Sequence, residues 1–65
     1  MAEKKPNEIL TKLRGKRPRA VVSEAVGISE RALQSYELGE RVPSDAVKQK
    51  LADYYKRSVQ YIFFR

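Results

Sequence analysis

The chain has no cysteine and no histidine. These absences rule out disulfide staples and leave neither thiolate nor imidazole for a structural zinc site. They also remove the commonest catalytic nucleophile–base pairs. No Gly-rich phosphate loop and no HExxH-type pattern takes their place. The remaining carboxylate pair of note, Glu37 and Glu40, falls at an expected helix end with no pocket to exclude water. The expectation is a protein that is not an enzyme and has no metal or cofactor. Nothing approaches the ~18 consecutive apolar residues of a membrane span. Met1–Pro6 is polar and basic with no apolar stretch behind it, so it does not read as a secretory signal. A cytoplasmic, nucleoid-associated location follows as an expectation. No run alternates as a strand would, and no internal repeat or low-complexity tract is present.

With 65 residues, there is room for one domain, whose core is marginal alone. Stability must come from efficient helix packing, helped by self-association. What the chain does have is positive charge, unevenly placed. Residues 1–20 hold seven basic and two acidic side chains, whereas residues 21–65 hold seven and six. Lys12, Arg14, Lys16, Arg17 and Arg19 crowd one stretch, the kind of patch a polyanion attracts. A solvated, solubilising face is the plain alternative for a basic run alone.

The apolar spacing predicts five short helices and an all-α fold. Met1–Pro6 reads as a flexible basic arm, and residues 7–65 as the domain. Asn7 is placed as the cap of a first helix carrying Ile9, Leu10 and Leu13, which Gly15 ends. Pro18 fits the first position of a second helix with an apolar stripe of Val21, Val22, Ala25 and Val26. Gly27-Ile28-Ser29 then supplies a tight turn, a core residue and a cap. A third helix runs from about Glu30 to Leu38, with Leu33 and Tyr36 inward, and Gly39 stops it. Ser44 caps a fourth helix bearing Ala46, Val47, Leu51, Tyr54 and Tyr55, and Ser58 caps a last one with Val59, Ile62 and Phe63 inward. Two short helices joined by about three residues containing a glycine make a helix-turn-helix, here helices 2 and 3.

The run Val22–Ser44 resembles the Xre/Cro family of regulators, whose fold is lambda-repressor-like. The pattern is an apolar residue and a small one, then Gly27-Ile28-Ser29, Glu37-Leu38-Gly39, a basic Arg41 and Pro43. The resemblance extends over roughly Glu8–Phe63. Three positions depart from it: Ser23 replaces a usual Ala, Arg19 replaces a usual Gln, and the loop Gly15-Lys16-Arg17 is about two residues short. The resemblance implies sequence-specific binding of double-stranded DNA by a bacterial or phage transcriptional regulator, with a repressor as the first expectation. It also implies that Arg14 and Glu37 pair in a partly buried salt bridge.

In this motif the second helix lies in the major groove with its N-terminal residues against base edges. The outward positions of helix 3 therefore become the candidate base contacts. Arg31 suits guanine, Gln34 suits adenine, Glu30 can accept from cytosine N4, Ala32 can meet a thymine methyl, and Ser35 can bond to a base or a phosphate. The family's reading positions are the same five. Lys16, Arg17, Arg19, Ser29 and Arg41 are the candidate phosphate contacts. Tyr61-Ile62-Phe63-Phe64 cannot all face inward on one helix, so Phe64, with Tyr61, is expected at a twofold homodimer contact, and the target is expected to be an inverted-repeat operator. Nothing points to a small-molecule ligand or to a membrane. The short arm and the lack of a trailing linker read as a stand-alone regulator. An antitoxin-like or other protein-interaction module on the same fold is the alternative.

Overall fold

The computed structural model describes residues 6–64. Most of the predicted basic arm, and Arg65, lie outside these residues. The described chain forms five helices and no strand: α1 (Glu8–Arg14), α2 (Arg19–Val26), α3 (Glu30–Leu38), α4 (Asp45–Tyr55) and α5 (Val59–Phe63). None of them is long and apolar enough to cross a membrane. The all-α fold of five short helices expected from the sequence is the fold observed.

Local chemistry sets the helix starts. Asn7, Ser29, Ser44 and Ser58 each accept a backbone N–H in the first turn of the helix that follows, satisfying a donor that the helix itself leaves free. α2 begins differently. Pro18 is not its first helical residue but the extended residue before it (φ −63°, ψ 147°), and it offers no side-chain cap. At the other ends, Gly27 (φ 85°) and Gly39 (φ 74°) take the left-handed conformation open to glycine at little cost. Lys56 closes α4 in the same conformation (φ 58°, ψ 45°) without being a glycine.

Leu10, Val22, Val26, Leu33, Tyr36, Leu51, Ala52, Tyr55 and Ile62 make the core, so every helix contributes. The stripes are narrower than the sequence suggests. Val21 and Ala25 are exposed, because α2 turns Val22, Ser23 and Val26 toward its neighbours. A helix advances 100° per residue, which leaves positions 21 and 25 on the outer edge of that face. Ala46 is exposed for the same reason, and Ala52 takes the inward place on α4. Ser23 is buried, and its hydroxyl donates to the Ala20 carbonyl at 3.2 Å. That bond lets a polar side chain occupy the tight α2 interior.

The ends of the fold meet at Asn7. Its backbone N–H donates to the Glu37 carbonyl at the end of α3 (2.8 Å), and its side-chain amide donates to the Ile62 carbonyl in α5 (3.2 Å).

Candidate nucleic-acid interface

The α2–α3 connection is fixed by backbone hydrogen bonds rather than by bulk. The Ser23 carbonyl accepts from both Gly27 N–H (2.8 Å) and Ile28 N–H (2.9 Å), a helix ending that satisfies both amides. Ile28 packs against the core, and Ser29 Oγ accepts from Ala32 N–H at 3.0 Å to start α3. At its far end the Ser35 carbonyl accepts from Glu40 N–H (2.9 Å) and Arg41 N–H (3.4 Å). α3 is therefore held at both ends, with Leu33, Tyr36 and Glu37 turned inward.

Glu30, Arg31 and Gln34 lie on the exposed side of this helix. None of the three has a side-chain hydrogen bond or ion pair among the described residues, so their polar ends face solvent. Ala32 and Ser35 are different. Both are half-buried, and Ala32 packs against the core. Of the five predicted positions, three are exposed and two are half-buried.

Beneath α3 sits a three-residue ion cluster. Glu37 is only 1% exposed, yet it is a carboxylate. Arg14 donates from Nε to Oε2 at 2.7 Å and from Nη2 to Oε1 at 3.2 Å, while Arg19 donates from Nε to Oε1 at 3.0 Å. A buried charge persists only with partners of this quality. The hydrogen bonds that Arg14 donates to Glu37 raise the Arg14 pKa above its ordinary value, against the opposing pull of burial. The Arg14–Glu37 contact carries the geometry the family resemblance implies. Arg19 was read from the sequence only as a phosphate contact, and its bond to Glu37 was not anticipated. Residues 18 positions apart on different helices leave no spacing signal to find.

Tyr55 closes the cluster from α4. It is buried, and its hydroxyl has no hydrogen-bond partner among the described residues. Burial first, and the nearby Glu37 carboxylate second, push its pKa up to about 12.

The predicted phosphate contacts divide. Lys16 is exposed in the α1–α2 loop, Ser29 is exposed with its Oγ accepting the cap bond while its O–H can still donate, and Arg41 is exposed after α3. The Arg41 guanidinium lies 6.0 Å from the Tyr36 ring centre. Arg17 is folded back. Its guanidinium carbon sits 5.5 Å and 5.7 Å from the ring centres of Tyr54 and Tyr55, and Nη2 donates to the Leu13 carbonyl at 3.5 Å. Arg17 stays exposed while stacked in this way.

The helix-turn-helix family profile matches residues 12–62, most of the chain. The chain belongs to the helix-turn-helix family, in its Xre/lambda-repressor-like form. No curated protein and no solved structure matches it. This helix-turn-helix protein is a DNA-binding domain in which α3 is the second helix of the motif. Among its described residues no group of three or more acidic side chains could hold a metal ion.

Tyr61 and Phe64 are 52% and 55% exposed at the other edge of the domain. Lys48 Nζ lies 4.7 Å from the Phe64 ring centre, and Phe64 borders a recess of about 280 Å³ shared with Asn7, Tyr36, Arg41 and Val42. Val42 itself is 79% exposed.

Proposed function

We propose that this helix-turn-helix protein is a sequence-specific transcriptional regulator of bacterial or phage type, acting as a repressor on double-stranded DNA in the cytoplasm, with no catalytic activity of its own. The observation that carries the reading is the exposed, unbonded row Glu30, Arg31 and Gln34 on a helix fixed at both ends. An α-helix of this kind enters the major groove, where Arg31 forks onto guanine O6 and N7 and Gln34 pairs with adenine N6 and N7. Glu30 accepts from cytosine N4 or repels wrong bases. Lys16, Arg19 and Arg41 meet the phosphates and set register.

The second part of the proposal is a homodimer on an inverted-repeat operator. Tyr61, Phe64 and Val42 together expose apolar surface that a 65-residue domain with a small core does better to bury. A twofold contact there would set the spacing of two half-sites at about one helical turn, ~10 bp.

Selection from a random double-stranded DNA pool at about 150 mM salt tests both parts. Enrichment of an inverted repeat with half-sites ~10 bp apart is the expected result. Enrichment of a single half-site retains the regulator and removes the dimer. Retention without enrichment, collapsing steeply with salt, removes sequence-specific reading and leaves the antitoxin-like protein-interaction role on the same fold.

A further inference from the structure

Two arginines share the buried carboxylate of Glu37, but they are not equivalent. Arg14 is consumed by the interior. Its Nε and Nη2 bind Glu37, its Nη1 donates to the Arg17 carbonyl at 3.0 Å, and its side chain is 16% exposed. Arg19 bonds to Glu37 through Nε alone, and its side chain is 35% exposed. Both of its Nη groups are unpartnered among the described residues. One carboxylate between two guanidiniums leaves one positive charge uncompensated, and the accessible group is the one on α2.

We propose that Glu37 is a positioning residue for DNA binding, holding Arg19 by its Nε so that the two Nη groups at the start of α2 are offered as a fork to one phosphate. The proposal rests on the DNA-binding reading and adds the coupling between the two residues. A free surface arginine must give up its rotamer freedom when it meets a phosphate. An arginine already anchored through Nε has given up much of it in the unbound protein. The remaining edge of its planar guanidinium keeps the two parallel N–H donors that match phosphate oxygens. Lysine carries the same charge but has no Nε to anchor while it binds elsewhere. Glu37 cannot follow Arg19 outward, because it is buried and bound on its other side by Arg14. The same carboxylate thus supports the fold and aims a ligand for the DNA backbone.

The test is a double-mutant cycle on the selected DNA, with affinity measured across a salt series at a temperature where circular dichroism shows each variant folded. Arg19→Gln is expected to lower affinity about tenfold and to reduce the salt slope by about 0.9, the value for one phosphate. Arg19→Lys keeps the slope but loses about threefold to fivefold in affinity, as a charge without the anchored fork should. Glu37→Asp, which keeps the charge and withdraws it by one methylene, lowers affinity severalfold in the native background and leaves it unchanged in the Arg19→Gln background. Equal losses from Glu37→Asp in both backgrounds, or no loss in either, overturn the positioning role. Native affinity from Arg19→Lys overturns the anchored fork. Failure of the unsubstituted protein to bind any selected DNA is a different result, and it removes the regulator reading itself.

Discussion

Asn7 donates its side-chain amide to the carbonyl of Ile62, so the first turn of α1 and the last helix are joined across 55 positions of sequence. The same side chain accepts from Leu10 N–H at 3.0 Å, and the Asn7 backbone reaches Glu37. One residue thereby caps a helix and ties three helices together. Replacing it separates the two roles. Asn7→Ala is expected to cost about 1–2 kcal/mol and to lower Tm by roughly 5–15 °C. Asn7→Ser keeps a cap oxygen but is too short to reach Ile62, and should fall between the two in thermal unfolding. Equal stability for all three proteins would mean the tie contributes nothing.

Removing Glu37 outright leaves two guanidiniums facing each other over a buried site. Glu37→Ala should destabilise the fold by about 3–5 kcal/mol, the cost of stranding buried charge. For a domain whose whole stability is of the order of 5 kcal/mol, the variant is expected to be largely unfolded at 37 °C. An unchanged melting temperature would remove the structural role of the cluster.

Tyr55 gives the fold an alkaline limit. Its pKa is raised from 10.0 to about 12, so the folded state holds the phenolic proton more tightly than the unfolded chain does. The stability this represents is fully present below pH 10 and is lost as pH rises through 12, amounting to at most about 3 kcal/mol. Tyr55→Phe removes the titration and also the buried hydroxyl that lacks a partner. At pH 7 it should be as stable as the native protein or more stable by up to about 1 kcal/mol. The gap in urea midpoint should widen between pH 10 and 12, and a constant gap would contradict the assignment.

Much of this architecture is legible in the sequence, and the residues that mislead do so for physical reasons. Asn7, Ser29, Ser44 and Ser58 all cap where they were expected, because capping is decided by a side chain three positions from its target. Gly27 and Gly39 end helices for an equally local reason. Val21, Ala25 and Ala46 were misplaced, since which edge of an apolar stripe is covered depends on the angle at which a neighbouring helix crosses it. The folded-back Arg17 and the bond from Arg19 to Glu37 depend on residues far away in the chain, so no periodicity reports them.

Lys56 marks the one helix end where the backbone is strained. It takes φ 58° without being glycine, a conformation that costs an L-residue about 1 kcal/mol. Lys56→Gly should raise stability by about 0.5–1 kcal/mol, partly offset by the greater freedom of glycine in the unfolded chain. A β-branched replacement such as Lys56→Val should move stability the opposite way, and denaturant midpoints for the pair check the sign.

Arg31→Ala tests the reading helix directly. It removes an exposed side chain with no hydrogen bond among the described residues, so thermal stability should change by less than about 0.5 kcal/mol. Affinity for the selected operator should fall by about 1–3 kcal/mol, with preference relaxed at one base pair in each half-site. A uniform loss across all sequences would reassign Arg31 to the phosphates.

The separation of tasks on α3 has an evolutionary consequence. Leu33, Tyr36 and Glu37 hold the helix in place, while Glu30, Arg31 and Gln34 make no side-chain hydrogen bond or ion pair among the described residues. On the proposed DNA-reading role, substitutions in that row change the sequence read one position at a time without passing through an unfolded ancestor. On that same reading, selection on specificity and selection on stability act on different letters of the same nine-residue helix.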